Sequence, residues 1–360
     1  MKILYAIQGT GNGHLSRARD IIPILKENHE VELLISGSQA DVSLPYPVKY
    51  TFKGLGFIFG QKGGIDFLET YKKNNLKTLF SEINTLPVNE YDLVINDFEP
   101  VSAWACYLND FPCISLSHQA AVLNKNAPQP KDVDLLGKAI LNNYAPTSKK
   151  YGFHFKAYDD QIFTPVIRSQ VRTQSVENKG HYTVYLPAYD DLRILKILRQ
   201  FENIQWQVFS KHNKKEFNEK NISIRPINNE AFIESMATSE GVLCGAGFET
   251  PAEALFMNKK LMVIPMKGQY EQHCNAAALK EMGVPVLKSF KLKHIDKIKN
   301  WIKDNSKIEV NYSNDTAEII NAILSDYNPV TANDFKTERK KPNSVRKFQK
   351  MILKAIVKDL

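Results

Sequence analysis

The sequence predicts an α/β fold made of two successive β/α/β halves, each a parallel sheet covered by helices. Three observations predict it. The chain opens with a strand over residues 2–7, a glycine-rich turn over 8–14 and a helix, then returns as a strand over 30–35; a unit of this kind joins parallel neighbours. Residues 172–180 (RTQSVENKG) are polar and lack an apolar period, and after them a strand over 181–186 starts the pattern afresh. Within the second half, residues 242–278 run strand, glycine turn, helix, strand, loop, helix.

Composition fits this plan. A chain of 360 residues can bury the cores of two domains. Hydrophobic residues make up 43% and charged residues 24%, an ordinary globular balance. Cys106, Cys113, Cys244 and Cys274 show no C-x-x-C spacing, which argues for reduced thiols, a cytoplasmic setting and no zinc site. The apolar run after Met1-Lys2 is too short for a signal peptide, and no run approaches the roughly 20 residues of a membrane span. The formal charge of +8 is uneven: residues 336–360 contribute +7 of it. A nearly neutral body with a basic tail does not describe a nucleic-acid binder.

Taken in order, the elements are as follows. In the first helix Leu15, Ala18, Ile22 and Leu25 recur at helical spacing. A strand is expected over 48–52. Residues 54–64 (GLGFIFGQKGG) read as a loop carrying apolar side chains, either tucked into the core or part of an acceptor pocket. A helix is expected over 65–84, and buried strands over 91–96 and 112–117. Helical and loop material fills 125–146, and 161–171 is strand-like. The second half continues with helix 192–201, strands 204–209 and 222–224, and helix 230–237. A strand over 242–244 precedes the glycine turn, a core strand covers 261–264, and a helix covers 271–282. A strand over 284–287 closes the sheet, and helices follow over 298–303 and 316–326. This gives domains over 1–172 and 181–330, with a basic amphipathic helix in 331–360.

The chemistry-bearing residues gather at strand ends and turns. The first turn, Gln8-Gly9-Thr10-Gly11-Asn12-Gly13-His14, fails as a dinucleotide fingerprint. His14 stands where G-x-G-x-x-G wants glycine, and no acidic residue ends the second strand. What remains is a turn that delivers His14 to the C-terminal edge of the sheet. Asp97 and His118 sit at two further strand ends. Asp97 could alternatively cap the next helix, and His118 could be satisfied by backbone. In the second half, Gly245, Ala246 and Gly247 form a turn almost without side chains, which lets backbone amides approach a ligand. Thr250, Pro251 and Glu253 read as N-cap, first helical residue and capping-box partner. A helix start behind such a turn is an anion site suited to a diphosphate.

The spacing Cys244-x-x-Gly247-x-x-Thr250-x-x-Glu253, then Pro265, then Glu271-Gln272-x-x-Asn275-Ala276, resembles the donor-binding stretch of GT-B glycosyltransferases that use UDP-sugars. The turn at Gly9–His14 is similar to theirs as well. The resemblance is specific at these two stretches and covers nearly the whole chain in plan. It implies two facing Rossmann-like domains, the first binding acceptor and the second nucleotide-sugar, with a C-terminal helix crossing back onto the first. It implies that Gly247 and Thr250 hold the diphosphate, Glu253 the ribose hydroxyls, and Glu271 and Gln272 the sugar. Ile227, Asn228 and Asn229, in the loop before a helix, would offer backbone groups to the uracil edge. His14 would be the catalytic base, oriented by Asp97, with Gly11, Asn12, Gly13 and His118 on the acceptor side. The chain departs from the plant-type signature at Gly245, where many members carry a phosphate-binding histidine. A retaining enzyme of this fold would also want a glutamate at that position, so inversion is implied.

The expected activity is therefore an inverting, metal-independent hexosyltransferase. It would move a sugar from UDP, or from dTDP, to an acceptor hydroxyl, without a cofactor; no D-x-D cluster is present. Two alternatives stay open. One is a non-hydrolysing UDP-sugar 2-epimerase, which needs more carboxylates than Asp97, Glu99 and Glu271. The other is a non-catalytic nucleotide-sugar or lipid-binding module, for which His14 and Asp97 would have no use. From Ser344 onward Val345, Phe348, Ile352 and Ile356 share one helical face. That stripe either packs on the first domain or lies on an anionic membrane. The basic tail hints at an amphiphilic acceptor, a glycolipid or cell-envelope precursor, met at the inner face of a membrane.

Overall fold

The computed structural model describes residues 1–37, 44–55, 76–327 and 342–358. The chain divides into two compact units. The first comprises Met1–Ala127, Asp132–Val166 and Ser313–Leu360; the second comprises Pro128–Lys131 and Ile167–Tyr312. Most of the expected loop at 54–64 and the first part of the helix expected over 65–84 lie outside the described residues.

The first unit runs β1 (Lys2–Gln8), α1 (Asn12–Asn28), β2 (Glu30–Ser36), β3 (Tyr50–Phe52), α2 (Leu76–Thr85), β4 (Leu93–Asp97), α3 (Pro100–Asn109), β5 (Cys113–Leu116), α4 (His118–Val122), α5 (Leu135–Tyr144), β6 (Lys149–Phe153) and β7 (Ile162–Phe163). Its sheet has the order β3-β2-β1-β4-β5-β6-β7, and each neighbouring pair is parallel. Central β1 and β4 are apolar and buried on both faces, as parallel strands covered by helices must be. The strand expected over 161–171 shrinks to two residues. Pro165 has no N–H to extend the ladder, and Ser169–Arg172 forms a helical turn instead.

The second unit runs from that turn, α6 (Ser169–Arg172), through β8 (His181–Tyr185), α7 (Asp191–Leu198), β9 (Gln205–Ser210), β10 (Phe217–Glu219), β11 (Ile222–Pro226), α8 (Asn229–Thr238), β12 (Gly241–Gly245), α9 (Glu249–Phe256), β13 (Lys260–Ile264), α10 (Tyr270–Glu281) and α11 (Ile295–Lys303). Its sheet order is β10-β11-β9-β8-β12-β13. Only the β10 edge is antiparallel. A core of Tyr182, Trp206, Phe290 and Trp301 with aliphatic partners lies beneath it. The strand expected over 284–287 is a single bridge, Val286 to Val263, because Pro285 interrupts its donors.

The chain then returns. α12 (Thr316–Ser325) packs on α1, and α13 (Val345–Lys358) packs on α2 and α5. The sequence boundary at 330 is thus corrected: the first unit resumes at Ser313. Phe348 is fully buried, 5.4 Å from the rings of both Phe80 and Trp104, and Ile352 is buried beside it. Phe348 and Ile352 of the apolar stripe therefore pack on the first unit, as the crossing-back plan requires. Burying each of these two side chains stabilises the docked helix by about 1.5–3 kcal/mol.

Candidate active site

The candidate groups form two sets, one in each unit. In the first sheet β1 has β2 on one side and β4 on the other, so the chain reverses its direction of winding between β1 and β4. Open α/β sheets bind ligands at the C-terminal ends of such a pair. The turn after β1 lies there. Glycine is required at two of its positions: a Cβ on Gly9 would meet Ile35 Cγ2 at 2.8 Å, and Gly11 has φ +98°. Gly11, Asn12 and Gly13 are partly exposed at the start of α1.

His14 follows on α1, with 12% of its side chain exposed. Its Nδ1 lies 2.8 Å from Oδ1 of Asp97, the last residue of β4, whose side chain is fully buried. Asp97 does not cap the next helix. Glu99 does, accepting from the amides of Val101 and Ser102 at 2.7 and 2.6 Å. Two groups that the sequence reading passed over complete the cluster. Arg17, 2% exposed, donates through Nη2 to both Asp97 oxygens at 2.7 and 2.8 Å. Gln119 brings its amide nitrogen 3.5 Å from His14 Nε2. Phe98 lies parallel to the imidazole at 6.4 Å.

Burial works against the Asp97 charge, but Arg17 and then His14 outweigh it and hold the carboxyl below its ordinary range. Burial pushes the Glu99 carboxyl up in spite of its hydrogen bonds. His118 is placed differently from the acceptor-side expectation. It is 1% exposed, its Nδ1 is 2.8 Å from the carbonyl of Phe153, and its ring meets that of His154 edge to face.

In the second sheet β8 has β9 on one side and β12 on the other, which puts the turn after β12 at the corresponding place. Ala246 is tied at both ends of its peptide. Its N–H donates to Ile264 O at 3.2 Å, and its carbonyl accepts from the buried Asn275 side chain at 3.1 Å. A Cβ on Gly247 would meet nothing within 4 Å, so no packing demands glycine there. The expected capping box is corrected: α9 starts at Glu249 behind Phe248, which offers no side-chain cap. Pro251 thus falls in the first turn, where a missing N–H costs no intrahelical bond.

Glu253 is held by a cation. It is 2% exposed, and Arg168 grips it with Nε to Oε1 at 2.5 Å and Nη2 to Oε2 at 2.8 Å. Arg168 Nη1 also donates to Asn229 Oδ1 at 2.7 Å. Asn228 caps α8 through Ala231 N at 2.8 Å, and Ile227 is partly exposed just before it. On α10, Gln272 Oε1 accepts from Met266 N at 2.8 Å, and Glu271 lies in the first turn. Gly245, Thr250, Glu271 and Gln272 are all partly exposed. A sequence signal existed for Arg17, one helical turn from His14, and for Gln119, beside His118. None existed for the Arg168–Glu253 pair, whose partners are 85 residues apart.

The chain is similar in fold to the following solved structures. MurG of Acinetobacter baumannii aligns with a TM-score of 0.51 at 12% identity, covering 98% of this chain and 100% of that one. The spinosyn forosaminyltransferase SpnP aligns at 0.52 and 13%, covering 99% of each chain. The spinosyn rhamnosyltransferase SpnG, complexed with thymidine diphosphate, aligns at 0.50 and 13%, covering 92% and 96%. These likenesses give the fold class, GT-B. No curated protein matches the chain. The model of glycosyl transferase family 1 matches residues 1–304, and the chain belongs to that family. It is a glycosyltransferase.

Proposed function

We propose that the protein is an inverting, metal-independent hexosyltransferase that takes its sugar from UDP or dTDP and gives it to an acceptor hydroxyl. The observation that carries this reading is the 2.8 Å contact of His14 Nδ1 with the buried Asp97 at the switch point of the first sheet. A carboxylate on Nδ1 leaves Nε2 to accept a proton. The acceptor oxygen attacks the anomeric carbon from the face opposite the nucleotide, and its proton passes to His14 Nε2. The bond from the anomeric carbon to the diphosphate oxygen breaks, and that oxygen leaves with the electron pair. One displacement inverts the anomeric centre.

In this reading the second unit holds the donor. The Gly245–Gly247 turn and the start of α9, with Thr250, face the diphosphate and stabilise the leaving charge in place of a metal. Glu253 takes the ribose hydroxyls. Glu271 and Gln272 read the sugar, and the backbone at Ile227–Asn229 reads the base. SpnG carries thymidine diphosphate, which supports including dTDP beside UDP. We read the acceptor as a glycolipid or cell-envelope precursor met at the inner face of a membrane. The exposed cations Arg346, Lys350, Lys354 and Lys358 of α13 support that placement. Among the described residues no helix is long and apolar enough to cross a membrane.

The reading is tested by thermal stabilisation with UDP, dTDP, GDP, ADP and NAD, each with and without magnesium. A ligand that binds the native state raises the midpoint by mass action. Stabilisation by UDP or dTDP that magnesium does not change is the expected result. Stabilisation only by another nucleotide, or only with magnesium, would overturn the donor assignment.

A further inference from the structure

The step just described makes no use of Arg17, although Arg17 is the strongest partner of Asp97. It donates to both carboxylate oxygens at 2.7 and 2.8 Å, is 2% exposed, and stacks its guanidinium 5.9 Å from the Phe153 ring. We infer that Arg17 sets the proton arrangement of the His14–Asp97 pair: it keeps the buried Asp97 ionised, which keeps the proton of neutral His14 on Nδ1 and the lone pair on Nε2.

The reasoning is electrostatic. A carboxyl shut away from water prefers to be neutral unless a charge answers it. Neutral Asp97 would carry its proton toward His14 Nδ1 as a donor. The imidazole would then accept at Nδ1 and hold its own proton on Nε2, where it cannot serve as a base. Asp97 with Arg17 at its back can only accept. His14 Nδ1 must then donate, and the shorter distance agrees: 2.8 Å to Asp97 against 3.3 Å to Arg17 Nη2. The Gln119 amide, 3.5 Å from Nε2, also points a donor at that nitrogen.

The other titratable groups near the pair cannot replace Arg17. Tyr5 on β1 is buried, and burial together with the Asp97 charge keeps its hydroxyl neutral. Glu99 directs its carboxylate to the amides of Val101 and Ser102. His118 has its Nδ1 on the Phe153 carbonyl. Arg17 is therefore a positioning residue, acting through Asp97 and His14 without touching substrate.

The test is ring-nitrogen NMR of His14 in the full chain, assigned with a His14→Gln variant, on wild type, Arg17→Met and Arg17→Lys. Wild type and Arg17→Lys should carry the ring proton on Nδ1; Arg17→Met, of similar length without charge, should carry it on Nε2 at pH 7. Activity adds a second readout. The kcat of Arg17→Met should fall on the order of 10²–10⁴-fold at pH 7. KM for the donor should stay within about twofold, and the acid limb of its kcat profile should move to higher pH. A proton on Nδ1 in Arg17→Met, or a pH profile superimposable on wild type, would overturn the inference. Should Arg17→Met not fold, a proton on Nε2 in Arg17→Lys would overturn it. The kinetic arm rests on His14 being the base. The NMR arm does not, so failure to find a sugar donor would be distinguishable from failure of this inference.

Discussion

Arg168 and Glu253 meet fork to fork within the second unit, with both carboxylate oxygens engaged at 2.5 and 2.8 Å and only 2% of the glutamate exposed. The geometry is bidentate, the strongest form such a pair takes. It gives Glu253 a structural role beside the ribose contact proposed for it. Removing one partner of a buried pair leaves the other charge unanswered, which costs about 3–5 kcal/mol. Glu253→Ala should therefore lower the unfolding free energy of the second unit by that amount, measured in urea. Glu253→Gln keeps one acceptor for Arg168 and should lose less. Both should lose most of the stabilisation given by UDP or dTDP.

Gly247 tests the proposed diphosphate turn without disturbing packing. A Cβ there would meet nothing within 4 Å. Gly247→Val should thus unfold within about 0.5 kcal/mol of wild type, the ordinary range for a site without packing constraints. It should at the same time lose nucleotide-induced stabilisation at least tenfold in apparent affinity, because the side chain fills the approach to the backbone amides. Normal nucleotide binding by this variant would show that the turn is not the diphosphate site.

The C-terminal helix is held by its aromatic contact. Phe348 lies 5.4 Å from both Phe80 and Trp104 with no exposed surface. Phe348→Ala should cost about 3–5 kcal/mol, and limited proteolysis should then release α13 first. An unchanged proteolysis pattern would contradict the docking of α13 on the first unit.

Two groups make stability rise with pH, in two separate windows. Arg17 and His14 overcome burial and depress the Asp97 carboxyl below its unfolded value of about 3.9. Its contribution is full above about pH 4 and is lost as pH falls through the lower, folded value. Asp97→Asn should flatten that acid limb. Lys259 acts in the alkaline range: it is lowered to about 8 by burial and then by Lys307. Between that value and about 10.4 the unfolded chain binds a proton that the folded chain has released, so stability rises with pH across this window. Urea midpoints between pH 8 and 10.4 should climb in wild type relative to Lys259→Met.

Much of this was legible in the sequence, for physical reasons. The central strands are continuous apolar runs because both faces are covered, so β1, β4 and β13 could be read directly. Strand ends converge at one sheet edge, which brought His14, Asp97 and His118 toward one place; the pairing of His14 with Asp97 came from the resemblance to GT-B glycosyltransferases. The return of the chain at Ser313 was harder to read. An amphipathic helix such as α12 shows that it packs but not on what, and the boundary was set too late. The Thr250 cap failed because a proline in the first turn is compatible with more than one helix start. Arg168 fell inside the strand expected over 161–171. Long-range ion pairs leave no local trace, and nothing near position 168 announces a partner at position 253.

The central claim is that His14 is the base of a sugar transfer. It is tested most directly by comparing His14→Ala with wild type. Release of UDP or dTDP from the nucleotide-sugar would be measured in the presence of acceptor, beside nucleotide-induced thermal stabilisation of both proteins. The account predicts that the variant keeps the stabilisation and loses transfer by 10²-fold or more, on the order of a general base's contribution. Transfer at the wild-type rate by His14→Ala would contradict it.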